Sequence, residues 1–216
     1  MLKTILAMSF IAGMMLLPAS AQIAEHFLDL IGVPSIEGTL VPIESGKIPS
    51  GQRLGPGTVA YSSQGPYPRS PYSLRVTLLD FDRGSYGARE PFVYEVRLDN
   101  TGNREVLFPW SIDSSLFAAN VPESYMVSLG LADAADPRST GLTGLIMLYG
   151  APSVPRSLET VLPGEFIRIR IKSDWLVFSE GTKRMRVVVQ PSYRGLAYPE
   201  IIADNTIDIQ SRGRTP

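Results

Sequence analysis

From Tyr72 onward, apolar side chains return at every second position, the spacing that sends alternate residues to opposite faces of a β-sheet. Leu74, Val76 and Leu78 share one face, and Arg75 and Thr77 take the other. In "FVYEVRL" the same rule sets Phe92, Tyr94, Val96 and Leu98 against Glu95 and Arg97. "YMVSLGL" contributes Tyr125, Val127, Leu129 and Leu131; "FIRIRIK" contributes Ile167, Ile169 and Ile171; "RMRVVVQ" contributes Met185, Val187 and Val189. Shorter strand candidates lie at 104–108, 144–149, 157–162 and 201–209. Gly, Pro and Asn punctuate these runs and no helical period intervenes, so the pattern predicts an all-β, antiparallel β-sandwich of about nine strands. The in-and-out alternation suits antiparallel sheets with one wet face.

Ahead of this region the pattern differs. "IAEHFLDLI" places Ile23, Phe27, Leu30 and Ile31 at helical spacing and predicts a short amphipathic helix, ended by Gly32 and Pro34. The stretch from there to Pro71 is dense in Gly and Pro, which work against long regular elements. It is expected to be a linker or arm, with at most short edge strands near Leu40 and Val59.

Between two strand-like runs, Asp99 to Asn103 reads "DNTGN" and carries turn chemistry. Asn can bond its own downstream backbone, and Gly102 can supply a positive φ, so these polar residues are expected to close a hairpin and to need no catalytic role. Pro109 removes a ladder donor and ends or bends the next strand. Trp110 then stands where a strand leaves the sheet, and core packing is the expectation for it, with an exposed ligand contact as the alternative.

The hairpin-like run 92–108 with its Asn-Thr-Gly tip, taken with "LPGEFIRIRI" at 162–171, resembles the paired signatures of bacterial extracytoplasmic immunoglobulin-like or fibronectin-III-like modules. The second signature here reads Leu162-Pro163-Gly164-Glu165, without the residue that separates Leu from Pro in those modules. The resemblance covers about a fifth of the chain beyond Ala21, implies binding, adhesion or accessory roles in the cell envelope, and transfers no functional residue. The chain departs from antibody-type domains in having no cysteine pair, and from minimal modules in the long stretch 111–123.

Composition adds a compartment. Lys3, the apolar run Ile5 to Leu17 and the small residues Ala19-Ser20-Ala21 read as an export signal, so a mature chain would start at Gln22 and be periplasmic or extracellular. The run is short against the roughly 20 apolar residues that cross a bilayer, and Pro18 closes it, so no transmembrane segment is expected after signal cleavage. The chain has no cysteine, which excludes disulfides, thiolate metal sites and Cys nucleophiles. Its net charge of -1 lacks the surplus of Lys and Arg that generic nucleic-acid binding needs. The resulting division is a signal at 1–21, a short helix plus Pro/Gly-rich arm at 22–71, a sandwich domain at 72–211 and a polar tail at 212–216.

Candidate chemistry is sparse. His26 is the only histidine and falls in the expected helix, away from every strand, which disfavours a hydrolase triad and rules out a multi-histidine metal site. Paired carboxylates remain, since a glycosidase needs only two; Asp80, Asp82, Glu90 and Glu95 are the candidates, and surface or turn roles are their ordinary reading. "LDFDRGS" resembles part of a calcium loop, but Gly84 comes one place early and Arg83 would repel a cation, so a turn is expected. Asp133 and Asp136, in a later loop, are weaker calcium candidates. No cofactor is implied.

The sharpest hint is electrostatic. Arg168, Arg170 and Lys172 share the outer face of one strand, and Arg184 and Arg186 that of the next. Paired as a hairpin, with Trp175 in the intervening turn, these strands would converge five positive groups on one surface able to bind an anionic envelope polysaccharide or an acidic patch on an envelope protein. Neutralisation by acidic neighbours is the competing reading. The sequence thus points to an exported, non-enzymatic binding or scaffolding module, with a carboxylate-dependent hydrolase acting on carbohydrate as the alternative.

Overall fold

The computed structural model describes residues 24–43, 58–62, 70–87, 90–117, 121, 123–135, 141–174, 180–194 and 196–212. Along the chain the strands are β1 (Glu25–Leu30), β2 (Ile36–Ile43), β3 (Thr58–Ser62), β4 (Leu74–Phe81), β5 (Ser85–Gly87), β6 (Phe92–Asn100) and β7 (Val106–Pro109). A 3-10 turn, Ser114–Phe117, precedes β8 (Tyr125–Asp133), β9 (Gly141–Gly150), β10 (Leu158–Val161) and β11 (Phe166–Ser173). Then follow β12 (Gly181–Tyr193), β13 (Leu196–Ala197), β14 (Ile201–Ile202) and β15 (Ile207–Arg212). The described residues are therefore all-β, and their fifteen strands exceed the nine expected because β1, β2 and β3 form ahead of Tyr72, β5 and β13 are short additions, and the run 201–209 divides into β14 and β15.

One sheet has the order β1-β11-β6-β4, and a second runs β3-β2-β9-β8-β12-β15-β5, with β13 and β14 also paired to β12. A separate ladder joins β10 to β7. Pairing is antiparallel except for β1 on β11, β2 on β3 and β15 on β5. The long β12 works as a spine, bonding β15 along its first part and β8 along its remainder.

The alternation read from the sequence sets the core. Val96 and Leu98 of β6, Ile167 and Ile169 of β11, and Val187 and Val189 of β12 meet in one cluster that both sheets share. Burial of each such side chain contributes about 1.5–3 kcal/mol. An aromatic group closes one end, where Phe92 lies 5.9 Å from Phe81 and 5.5 Å from Tyr86, centroid to centroid. Tyr94 ties the sheets directly: its buried hydroxyl donates to the Gly144 carbonyl of β9 at 2.7 Å, and burial pushes its pKa up. Trp110 packs against this core.

The helix expected over 23–31 is not formed; residues 25–30 are β1, parallel to β11 in the register Glu25↔Phe166 to Leu30↔Ile171. A helix of that length is marginal by itself, whereas the edge of β11 offers partners for the strand's backbone groups. Leu28 and Leu30 turn to the core and Phe27 to solvent, so period two governs here as well. The Gly- and Pro-rich stretch that follows supplies β2 and β3, paired with Leu40 opposite Val59.

The Asp99–Asn103 turn does not close a hairpin. β6 bonds β4 and β11, while β7 bonds β10, so the chain leaves one sheet here and enters another ladder. Asn100, 2% exposed, organises the passage: Nδ2 donates to the carbonyls of Arg104 (2.8 Å) and Val161 (2.9 Å), and Oδ1 accepts from Gly102 N–H at 3.0 Å. Gly102 is needed for space and not for a positive φ, since a Cβ there would lie 2.8 Å from Ser73 Cβ. The Leu162-Pro163-Gly164-Glu165 turn docks on the same residue, with Gly164 N–H donating to Asn100 O and Asn100 N–H to Glu165 O, both at 3.0 Å. Gly164 has φ +85°, as the third position of a Pro-Gly type II turn requires.

Candidate functional site

The outer face of β11 carries Arg168, Arg170 and Lys172 as the alternation requires, because Ile167, Ile169 and Ile171 take the inner positions. Arg168 reaches Glu25 Oε1 of β1 through Nη1 at 3.0 Å and Glu95 Oε2 of β6 through Nη2 at 2.7 Å. These hydrogen bonds, Glu95 first, raise its pKa. Arg170 Nε lies 3.6 Å from Glu95 Oε1, and Lys172 stands opposite Val93. Arg97, directly across from Arg168, is drawn away by Asp99 (2.6 Å) and stacks over Phe166 at 3.9 Å from the ring centroid. The face is a charge lattice in which acidic neighbours compensate most of the cations.

The five-charge surface does not form. β11 and β12 belong to different sheets, and Ile169 and Val187 face one another's layer across the shared core, so the outer faces of the two strands look in opposite directions. Arg184 instead pairs with Asp208 of β15 at 2.9 Å, a hydrogen bond that raises the Arg pKa and lowers that of Asp208. Arg186 stands opposite Ala132 of β8, and its buried Nε has no hydrogen-bond partner among the described residues. Trp175 lies outside the described residues, as does Asp136.

The acidic candidates are built into the framework. Asp80 Oδ1 accepts from Phe81 N–H at 2.8 Å. Asp82 Oδ1 accepts from the Tyr86 hydroxyl (2.7 Å) and from Val93 N–H (2.8 Å). Glu90 accepts from Gly87 N–H at 2.6 Å and pairs with Arg83 and Arg212; the backbone bond, then Arg83, lowers its pKa. Asp133 Oδ1 accepts from Ala135 N–H at 2.9 Å. Among the described residues no group of three or more His, Asp or Glu is placed to hold a metal ion.

His26 is where sequence reasoning missed a contact. It lies on β1 between two carboxylates, with Nδ1 2.9 Å from Glu159 of β10 and Nε2 3.3 Å from Glu165 of the turn before β11. Glu165 also accepts from Leu162 N–H at 2.8 Å, and this backbone bond is the main reason its pKa is lowered, with His26 adding to it. The imidazole thus fastens β1 to two other elements. No local spacing announces this, since Glu159 is remote in sequence; only the Glu following Pro-Gly hinted at a turn.

No protein-family model matches the chain, and no curated protein matches it. Among solved structures, the alkylpurine DNA glycosylase AlkC of Pseudomonas fluorescens aligns at 10% identity over 65% of this chain and 31% of its own, with a TM-score of 0.34. The CARDB domain of the Pyrococcus furiosus PF1109 protein aligns at 14% identity over 64% of this chain and 93% of its own, with a TM-score of 0.28. A Listeria innocua β-glucosidase aligns at 12% identity over 69% of this chain and 17% of its own, with a TM-score of 0.30. Likenesses of this size carry no argument about function.

Proposed function

We propose that this chain is an exported, non-enzymatic β-sandwich of immunoglobulin-like layering that binds or scaffolds a protein of the cell envelope. The observation that carries the reading is the engagement of Asp80, Asp82, Glu90 and Glu95 with backbone N–H groups, a tyrosine hydroxyl and arginines of the framework. A general acid or base has to be free to meet its substrate, whereas the oxygens of these carboxylates are occupied by donors of the framework itself. Two sheets around one core support the sandwich, and the leader-like residues 1–21 support export. Local compensation of Arg168 and Arg170 favours a protein partner over an anionic polysaccharide.

The test is to immobilise the full chain and challenge it separately with envelope proteins and anionic envelope polysaccharide, assaying the polysaccharide for hydrolysis in parallel. Saturable retention of a protein without turnover is the expected result. Hydrolysis that disappears in Glu95→Gln would overturn the reading.

A further inference from the structure

The two edges of the four-stranded sheet are finished differently. On β4, Asn205 stands in for a neighbouring strand: Leu78 N–H donates to its Oδ1 at 2.9 Å, and its Nδ2 donates to Leu78 O at 2.7 Å. Asp204 N–H donates to Val76 O at 3.1 Å, so this edge is sealed by the segment that leads into β15.

On β1 the outward groups follow from parity. Phe166 N–H points to Ala24 O, while Glu165 O accepts from Asn100 N–H, so even-numbered residues of β11 bond toward β1 and odd-numbered ones toward β6. In the parallel register Glu25↔Phe166, the backbone of His26, Leu28 and Leu30 then faces β11, and that of Glu25, Phe27 and Asp29 faces away. Among the described residues no strand pairs with this outer side. β1 is six residues long and carries neither Lys nor Pro, the usual devices that keep an edge from pairing.

The side chains say what would fit. Glu25, Phe27 and Asp29 are exposed on one face, with Phe27 half open to solvent at 50%. On its inner side this acid-aromatic-acid row is met by Arg168, which pairs with Glu25 and lies 5.9 Å from the Phe27 ring, and by Arg170, which stands opposite Asp29. β11 is thus a working example of a strand that complements β1: cations at alternate positions with aliphatic residues between them.

We propose that the outer edge of β1 takes up, by strand addition, an extended segment of a partner protein bearing Lys or Arg at alternate positions. The proposal rests on the binding reading above and gives it a surface. Backbone pairing supplies the attachment, and Glu25 and Asp29 select basic over acidic segments.

The test titrates the full chain with a fluorescein-labelled peptide of alternating Lys and Val and with its Glu-Val counterpart, following anisotropy, and measures amide hydrogen exchange at Phe27 and Asp29. The Lys-Val peptide is expected to bind about tenfold or more tighter than the Glu-Val one, and to slow exchange at both amides. Phe27→Pro removes an outward N–H but no bond to β11, and should weaken binding about tenfold. Asp29→Lys keeps the backbone and should weaken it too, which decides the matter if the proline variant does not fold. Equal affinity for the folded Phe27→Pro or the Asp29→Lys chain, unchanged exchange at Phe27 and Asp29 with peptide bound, or no binding of the Lys-Val peptide would each overturn the edge as the site. The function proposed above would survive that result, because capture and turnover decide it separately.

Discussion

The four-stranded and nine-stranded sheets present similar inner faces to the core and opposite outer ones. Outside β11 and β6 lie Arg168 and Arg170, both joined to Glu95, and Arg97, drawn to Asp99, on a face that water reaches. Outside β8, β9 and β12, by contrast, Ala132, Leu142, Leu145 and Val188 form a second buried cluster. Ser128 and Gln190, opposite each other in register, are buried there too. Gln190 donates to the carbonyls of Pro191 and Tyr198. β3 stands at one end of the strand order, four places from β12, yet it comes back against β12 and β13, so another part of the chain is laid against this sheet. A sheet's outer face is therefore wet or dry according to what the rest of the chain lays on it.

This contrast can be broken at its strongest point first. Leu145→Ala, on the outer side of the nine-stranded sheet, should destabilise by about 2–5 kcal/mol, the range for a core Leu, and Ile169→Ala on the inner side of the other sheet should match it. Chemical denaturation would measure both. A loss under about 1 kcal/mol at Leu145 would mean that the outer cluster is not a core.

Acid provides a second, smaller probe, directed at the clasp on the four-stranded sheet. The folded-state pKa of Glu165 is depressed, chiefly by the Leu162 N–H, so its contribution is present at neutral pH and is lost as pH falls through the carboxylate range. Thermal melts between pH 7 and about pH 3 should decline less steeply for Glu165→Gln than for the unaltered chain, from a lower starting point. Parallel curves would remove Glu165 from the account.

The smallest effect belongs to the charge lattice. Arg168→Ala removes two ion pairs, but the side chains are partly exposed and water screens them, so a change of about 0–1 kcal/mol is expected. Its size should shrink further in high salt.

Much of this was legible in particular residues. The alternation at 74–78, 92–98, 125–131 and 166–172 gave the strands and the inward residues correctly, because burial of one face fixes a period of two. The dry outer face also left a trace: Met126, Ser128, Gly130 and Ala132 are uncharged where β11 has arginines. Two local readings went astray. The helical spacing of Phe27, Leu30 and Ile31 competed with a free edge on β11 and lost, and the polar turn after Asn100 led out of the sheet because β7 found β10.

The basic residues mark the boundary between the two kinds of knowledge. That Arg168, Arg170, Arg184 and Arg186 would point outward was decided by the sequence alone, since Arg168, Arg170 and Arg186 each sit between apolar residues that had to be buried and Arg184 shares the alternation of Arg186. Whether they would share a surface depended on which strands paired, and backbone hydrogen bonding carries no label of its partner. The tertiary structure set β11 and β12 in facing layers, separated the charges, sealed the β4 edge with Asn205 and gave His26 its two glutamates. These outcomes join residues far apart in the chain, and only the packing of the whole selects among them.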